Sequence, residues 1–399
     1  MKEQRPDVLI VSRIHMPEVA AASFRIAAVE RGIRDIGRSL RALTTRPPAP
    51  LQSEDKSVIR LPVLRDKDGY VKGILNYLSF DIPAFFRLLV VRRPRVILVE
   101  PPPTTGTVVR IAAAFRRVPY VWYAADIWGD ATKIMGASRP VVWGVRQMEK
   151  FVLRGAAGVI AVSEGVAQRV NELGSTNTIV IPNGADTSIF NLDGEKMSQA
   201  ELRAAGVQHP YFIYAGTASQ WQGAEVFADA FAKYWQPDRN RQFVVIGRGT
   251  SLSYFREVAT SLREDARAAG LDYDPLVVLD QVDSATAARW QRGALAATVS
   301  IKPGQGYDFA YPTKVLTALA CGTPIIYSGA GAATIDIDQH NLGSAVPYDS
   351  HAVAGEFARP WEQWTTAEDR LRRHRWVVDN RSMKATGEAA AQFISSFIA

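Results

Sequence analysis

A single cysteine, Cys321, occurs in the chain of 399 residues, so no internal disulfide is possible and a multi-cysteine zinc site is excluded. The five histidines, His15, His209, His340, His351 and His374, are scattered without any paired spacing, which argues against a histidine-based metal centre. No window approaches the roughly 20 apolar residues of a membrane-crossing helix. The longest candidate, "FFRLLVVRRPRVILV", is interrupted by arginines. The amino-terminal "MKEQRPDVLIVSRIH" carries charge and only a short apolar run, whereas a secretory signal needs roughly 7–15 apolar residues. Short-period repeats and low-complexity tracts are missing. So is a dinucleotide fingerprint after the first apolar run, where "SRIHMPE" stands. These absences lead us to expect a soluble, cytoplasmic chain.

What is present is globular: 47% hydrophobic and 22% charged residues, over a length that suits two domains. The net charge of +7 is uneven, because residues 1–190 hold 27 basic against 17 acidic residues and the remainder 20 against 23. Arginines cluster at Arg25/Arg31/Arg34/Arg38, Arg87/Arg92/Arg93/Arg95 and Arg110/Arg116/Arg117. Two readings stand: solvated helix faces, or a basic face for anionic lipid or a phosphorylated acceptor. Nucleic acid is not expected, since no aromatic-plus-basic recognition motif accompanies the charge.

Apolar runs and helical spacings alternate along the chain. Strands are expected at 7–12, 39–45, 95–102, 119–128, 158–163 and 178–186, with helices at 20–37, 105–117, 139–155 and 164–173; residues 46–68 form a Pro-rich, charged stretch. The rhythm restarts with strands at 211–218, 241–250, 276–282, 296–302 and 324–329, and helices at 222–235, 251–269, 284–292 and 312–321, before a helical tail. Such alternation predicts an α/β protein of two Rossmann-like, doubly wound domains facing across a cleft. We place them at 1–186 and 187–384, with a helix at about 385–399 returning to the first.

In open parallel sheets ligands gather at the carboxyl ends of strands. The stretch "PTKVLTALACGTPII" opens a helix after such an end. Pro312 suits a first helical turn, and Thr313 and Lys314 add a hydroxyl and a cation to its free N–H groups. This is either a phosphate site or a core helix with an ordinary cap. Gly216 and Thr217 lie at another strand end, where small residues admit a phosphate to the backbone. Arg248 lies at a third, within reach of a phosphate or a base. "GAGAAT" (329–334) imitates a dinucleotide loop, but the apolar helix that should follow is not expected from "IDIDQHN".

The order "IPNGAD", "YAGTA", "VVIGRG" and "FAYPTKVLTALACGTPII", preceded by "EPPPTTG", "YAADIW" and "AGVIAVSEGVAQRV", resembles the retaining glycosyltransferases of the family 4 type, with the GT-B fold. The likeness covers nearly the whole chain. It is nearest to bacterial members that build cell-surface polysaccharides and carry a P-(S/T)-K block. It implies that the carboxyl-terminal domain binds a nucleotide-diphosphate sugar and the amino-terminal domain an acceptor, without a metal or other cofactor. The family's two glutamates, eight positions apart, fall here on Phe309 and Thr317, and Asp308, beside the first, is expected to supply the missing catalytic carboxylate. Its Arg/Lys pair is replaced by Ser219, Gln220 and Gln222, which leaves Lys302, Lys314 and Arg248 to neutralise the diphosphate.

Retaining transfer requires a stabilised leaving diphosphate and an acceptor hydroxyl held on the leaving-group face. Lys314, Thr313, Gly216 and Thr217 are assigned to the phosphates. Asp126 either orients acceptor or sugar or caps a turn. Glu18 and Arg25 lie on the acceptor side, His15 is structural, and Asn183, Gly184 and Asp186 shape the turn between domains. A lipid-linked sugar acceptor at an anionic membrane surface is the expected partner. The rivals are a catalytically degenerate scaffold, favoured by Thr317 and Phe309, and a nucleotide-sugar 2-epimerase.

Overall fold

The computed structural model describes residues 5–18, 20–49, 51, 55, 57–66, 69, 71, 73–134, 136–305, 307–308 and 310–398. The chain forms two units: residues 1–183 with 383–399, and residues 184–382.

The first unit runs β1 (Val8–Val11), α1 (Ala21–Asp35), β2 (Leu40–Thr45), β3 (Val58–Leu61), α2 (Ile74–Val90), β4 (Val96–Val99), α3 (Pro103–Arg116), β5 (Tyr120–Ala124), α4 (Trp128–Ile134), α5 (Arg139–Gly155), β6 (Gly158–Ala161), α6 (Glu164–Glu172) and β7 (Thr178–Val180). Its sheet has the order β3-β2-β1-β4-β5-β6-β7, with every pair parallel. Strands β1, β4, β5 and β6 are buried throughout, as strands covered on both faces must be, and this is why they read as unbroken apolar runs. Strand β3 was not expected, because it lies inside the Pro-rich stretch; parallel pairing with β2, Ala42 opposite Val58, extends the sheet edge there. Helix α2 was not expected either, since its apolar run contains Pro83.

The second unit runs α7 (Gln199–Ala204), β8 (Tyr211–Ala215), α8 (Glu225–Tyr234), β9 (Gln242–Gly247), α9 (Leu252–Ala268), β10 (Leu276–Asp280), α10 (Ser284–Gly293), β11 (Ala297–Ile301), α11 (Thr313–Ala320), β12 (Ile325–Gly329), α12 (Ala332–Gln339), β13 (Gly343–Val346), α13 (Ser350–Phe357) and α14 (Ala367–Arg381). Its parallel sheet has the order β10-β9-β8-β11-β12-β13. One face packs on α8, α9 and α13 through Phe227, Phe231, Phe255 and Phe357; the other packs on α10 and α11 through Trp290, Val315 and Leu319. Helix α12 corrects the expectation that no helix follows "GAGAAT". Ala333 and Ile337, four apart, bury one face of it, while Ile335 and the acidic positions stay outside that face.

The last helix, α15 (Met383–Ser395), belongs to the first unit and lies on α1. Ile26, Val29 and Ile33 of α1 and Ala390, Ala391 and Ile394 of α15 are buried together over β1, β4 and β5. Each large aliphatic side chain among them contributes about 1.5–3 kcal/mol. The helices approach backbone to backbone at Gly32 and Gly387. A Cβ on Gly32 would collide with the Gly387 carbonyl, and one on Gly387 with the Ala28 carbonyl. Gly387→Val is therefore expected to destabilise the first unit by about 1–3 kcal/mol, the scale of overpacking. Urea unfolding followed by circular dichroism reads this, and an unchanged midpoint would contradict the close crossing.

A second test concerns α4. Glu149 on α5, almost fully buried, accepts the N–H groups of Trp128 (2.9 Å) and Gly129 (3.1 Å) in the first turn of α4. Burial pushes its carboxyl up to about 7, against the pull of those two N–H bonds. Between roughly pH 4.5 and 7 the folded chain thus keeps a proton that the unfolded chain has lost. Stability should fall across that window, by an amount on the order of 2 kcal/mol, and level off above it. Glu149→Gln should abolish the fall in melting temperature over this range while leaving the melt at pH 5 nearly unchanged.

Candidate functional site

Strand order reverses between β8 and β11, so the loops leaving these two strands diverge and leave a crevice at their carboxyl ends. Gly216 follows β8 with φ +120°, a conformation that side-chain-bearing residues rarely adopt. Its N–H donates to Ile246 O (2.8 Å), and Ala218 N donates to Arg248 O (2.8 Å), so this loop is stitched to the end of β9. Tyr214 Oη donates to Thr217 O at 2.9 Å.

The loop after β11 leads into α11. Pro312 is the residue before its first turn, and no side chain caps that turn. Thr313 is exposed at the helix mouth. Lys314 runs back beside Gly216; a Cβ at Gly216 would lie 3.0 Å from Lys314 Cε, so glycine makes room for the lysine stem. The ammonium sits 5.3 Å from the centre of the Tyr214 ring. It has neither a carboxylate nor a hydrogen-bond partner among the described residues. Burial pulls its pKa down to about 7. A half-buried cation without a carboxylate among the described residues, at the uncapped amino end of a helix, is an arrangement that can receive an anion.

The remaining assignments of the second unit fall around this centre in different states. Lys302 is exposed just past β11, its N–H donating to Trp221 O at 3.0 Å. Arg248 is exposed after β9, and its guanidinium has no partner among the described residues. Asp308 accepts a bond from Gly304 N at 3.1 Å and is spent on its own loop. Thr317 donates to Lys314 O (3.1 Å) and accepts from Gln291 Nε2 (3.4 Å), so its hydroxyl is turned onto its own helix and α10. Phe309 lies outside the described residues. Gln222, one of the residues in place of a basic pair, is buried; its side-chain oxygen accepts from Ser219 N (3.1 Å) and Ser219 Oγ (3.2 Å) and shapes the loop.

Sequence reasoning missed the stack of Trp221 on Tyr307, rings 4.7 Å apart and 25° from parallel. It ties the loop after β8 to the loop after β11. Aromatics in two Gly-bearing strand-end loops, Trp221 in one and Tyr307, Phe309 and Tyr311 in the other, were the available signal.

In the first unit the reversal falls between β1 and β4. Arg25 reaches from α1 to Glu100, just past β4, with Nε at 2.9 Å and Nη2 at 2.7 Å from one carboxylate oxygen; Ser12 Oγ donates to the other at 2.9 Å. Asp126 sits past β5 beside this pair. Crowding by the protein raises its pKa, Arg25 opposes the rise, and the Glu100 charge adds to it. Glu18 pairs with Arg65 (3.0 Å), which also bonds Gly69 O, Thr45 Oγ1 and Arg46 O and so locks that loop. Thus Glu18 and Arg25 are spent on internal partners, and Asp126 alone of the three presents an exposed carboxylate.

Arg13, also missed, is buried just past β1. It bonds Thr105 Oγ1 (3.0 Å) and Thr104 Oγ1 (2.8 Å), approaches Asp81 at 3.5 Å and lies 3.9 Å over the Tyr77 ring. Burial pulls its pKa down to about 10 against Asp81 and Tyr77. His15 is buried against Glu30 at 2.9 Å, a structural contact. Asp186 accepts from Ser188 N at 3.0 Å and closes the turn after residue 184.

Known proteins share this organisation. Residues 23–184 match the family described as "Glycosyl transferase 4-like domain", and residues 209–362 the family described as "Glycosyl transferases group 1". D-inositol 3-phosphate glycosyltransferase of Corynebacterium aurimucosum is 22% identical over 225 residues, 55% of this chain; the match spans only 48% of that protein's length. Among solved structures, sucrose-phosphate synthase of Thermosynechococcus elongatus superposes with a TM-score of 0.71 at 16% identity, over 98% of this chain and 99% of that one. HepE of Anabaena, solved with UDP, superposes with a TM-score of 0.72 at 15% identity, over 98% and 100%. At these identities the likeness to solved structures carries the fold.

Proposed function

Because the chain belongs to the glycosyltransferases, with the GT-B fold and one matching domain in each unit, we propose that it transfers a sugar, with retention, from a nucleotide-diphosphate sugar to a hydroxyl acceptor. In this reading the second unit takes the donor and the first takes the acceptor, a lipid-linked or cell-surface glycan precursor. The observation that carries the proposal is the unpartnered ammonium of Lys314 at the uncapped mouth of α11 beside Gly216.

The bond from the anomeric carbon to the distal phosphate breaks as the acceptor oxygen bonds the same carbon on the same face. The acceptor proton passes to the departing diphosphate, so no protein base is needed. Lys314, the free N–H groups at Thr313 and the N–H of Thr217 hold the charge that develops on the leaving oxygen, in place before the reaction begins, while Gly216, its own N–H bonded to Ile246 O, makes room for the lysine. Lys302 and Arg248 add positive charge at the rim, and the reading requires no metal ion. Asp126 orients the acceptor or the sugar. Solved structures of Anabaena HepE include complexes with UDP and with UDP-glucose, which makes uridine diphosphate the first ligand to try.

One observation favours a second reading, a catalytically degenerate partner or scaffold: Thr317, at the position of a family glutamate, has its hydroxyl bonded within the protein. Calorimetry with uridine, guanosine, adenosine, thymidine and cytidine diphosphates, without and with magnesium, separates the two. Binding of one diphosphate without metal is expected; no binding across the panel would favour the degenerate reading.

Lys314→Ala should lower turnover by about 10²-fold or more, the scale of losing one preorganised donor. Near-normal turnover would remove Lys314 from the phosphate site. Because the free lysine titrates at about 7 and the anion favours its charged form, diphosphate affinity should be flat below pH 7 and weaken as pH rises above it. In Lys314→Ala this weakening should be absent.

A further inference from the structure

Helix α2 is apolar on two faces. Phe80, Ala84 and Leu88 are buried in the first unit, whereas Leu75, Leu78, Ile82, Phe86 and Leu89 form a second row, spaced three and four apart, that faces solvent. Leu75 is 72% exposed and Phe86 62%. A soluble surface helix has one apolar stripe and a polar back; α2 has no polar back.

The row does not stand alone. Helix α3 packs beside α2, and α5 beside α3. The outward side of α3 carries Ile111 and Phe115, the latter 75% exposed, and that of α5 carries Trp143, 67% exposed, and Phe151. Arg110 lies 3.9 Å over the Phe151 ring and bridges these two helices. Monomeric soluble proteins rarely leave so extended an apolar face uncovered.

Charge identifies what covers it. The three helices contain seven basic residues, Arg87, Arg110, Arg116, Arg139, Arg146, Lys150 and Arg154, and two acidic ones, Asp81 and Glu149, both buried. Arg92, Arg93 and Arg117 are exposed just past the ends of α2 and α3. No acid on these three helices is exposed, and the acid nearest them, Asp130 on α4, is paired with Arg146 and Arg169, so the exposed charge around the apolar rows is predominantly positive. A second copy of the chain docking by this face would set arginines against arginines. An anionic bilayer satisfies both features, with the apolar side chains entering the acyl boundary and the arginines meeting the headgroups. Trp143 and the basic residues are types favoured at that boundary.

We propose that the outward face of α2, α3 and α5 is a membrane-docking surface that inserts Leu75, Ile82 and Phe86 into the interface of an anionic bilayer. This deepens the lipid-linked acceptor reading above, but it rests on the surface alone and does not require transfer activity. No described helix is long and apolar enough to cross a membrane, so the attachment is peripheral and reversible.

The test is flotation of the full chain with vesicles of phosphatidylcholine and phosphatidylglycerol in equal parts, and with phosphatidylcholine alone. The wild type is expected to float with the anionic vesicles. High salt should weaken this binding without abolishing it, because part of it is apolar. The triple variant Leu75→Asp, Ile82→Asp, Phe86→Asp should lose at least about tenfold in vesicle affinity while keeping its melting temperature, since all three side chains are exposed. Arg92→Glu with Arg93→Glu should lose the preference for anionic vesicles. Failure of the wild type to float, complete release by salt, or undiminished floating of the triple variant would each overturn the proposal. So would self-association in sedimentation velocity that the triple variant abolishes, with no vesicle binding: the face would then belong to a second copy. Diphosphate binding measured without vesicles keeps failure here distinct from failure of the transfer reading.

Discussion

All strands of each sheet run the same way. Parallel pairing forces every connection to cross back over a face, so each sheet is clothed in helices and all carboxyl strand ends emerge along one edge. Reversal of strand order then opens that edge at one place in each unit, between β1 and β4 and between β8 and β11. Most of the described residues assigned to the site gather near those two openings: Arg13, Arg25, Glu100 and Asp126 near the first, Gly216, Lys302, Thr313 and Lys314 near the second.

The two openings are built alike and charged differently. In the first unit the cations at the opening have carboxylates: Arg25 has Glu100, Arg13 has Asp81, and Arg65 has Glu18. These pairs offset the cost of burial internally and make that opening rigid and nearly neutral, with Asp126 left over. In the second unit neither the half-buried Lys314 nor the exposed Arg248 has a carboxylate partner among the described residues, so that opening keeps a positive charge that an anion would offset.

The strands were legible because burial on both faces writes them as plain apolar runs, as in "DVLIVS" and "RVILVEPP". The mouth of α11 was legible for a similar reason: Pro312, Thr313 and Lys314 are contiguous, and a helix start is a local event. What remained hidden depends on neighbours brought together by strand order. Arg25 and Glu100 are 75 residues apart and meet only because β1 and β4 are adjacent. Gln222 looked like a missing cation and is a buried loop brace. Trp221 and Tyr307 belong to different crossovers and stack because β8 and β11 are neighbours. The second face of α2 was written in the sequence as an apolar run, but which side faces the core is decided by α3, and no local pattern states it.

The passage of the chain between units has its own significance. It leaves the first unit after residue 183 and returns at 383, and the outgoing and returning segments meet in a bridge between Ala185 and Ser382. The second unit is thus a closed insertion in the first. On a ribosome adding about 5–20 residues per second, the second unit alone adds roughly 10–40 s to the time before α15 is available to cover α1. Throughout that interval Ile26, Val29 and Ile33 lack their partner helix. The first unit begins first and is finished last, so the length of the other domain extends the time for which this apolar helix face stays uncovered.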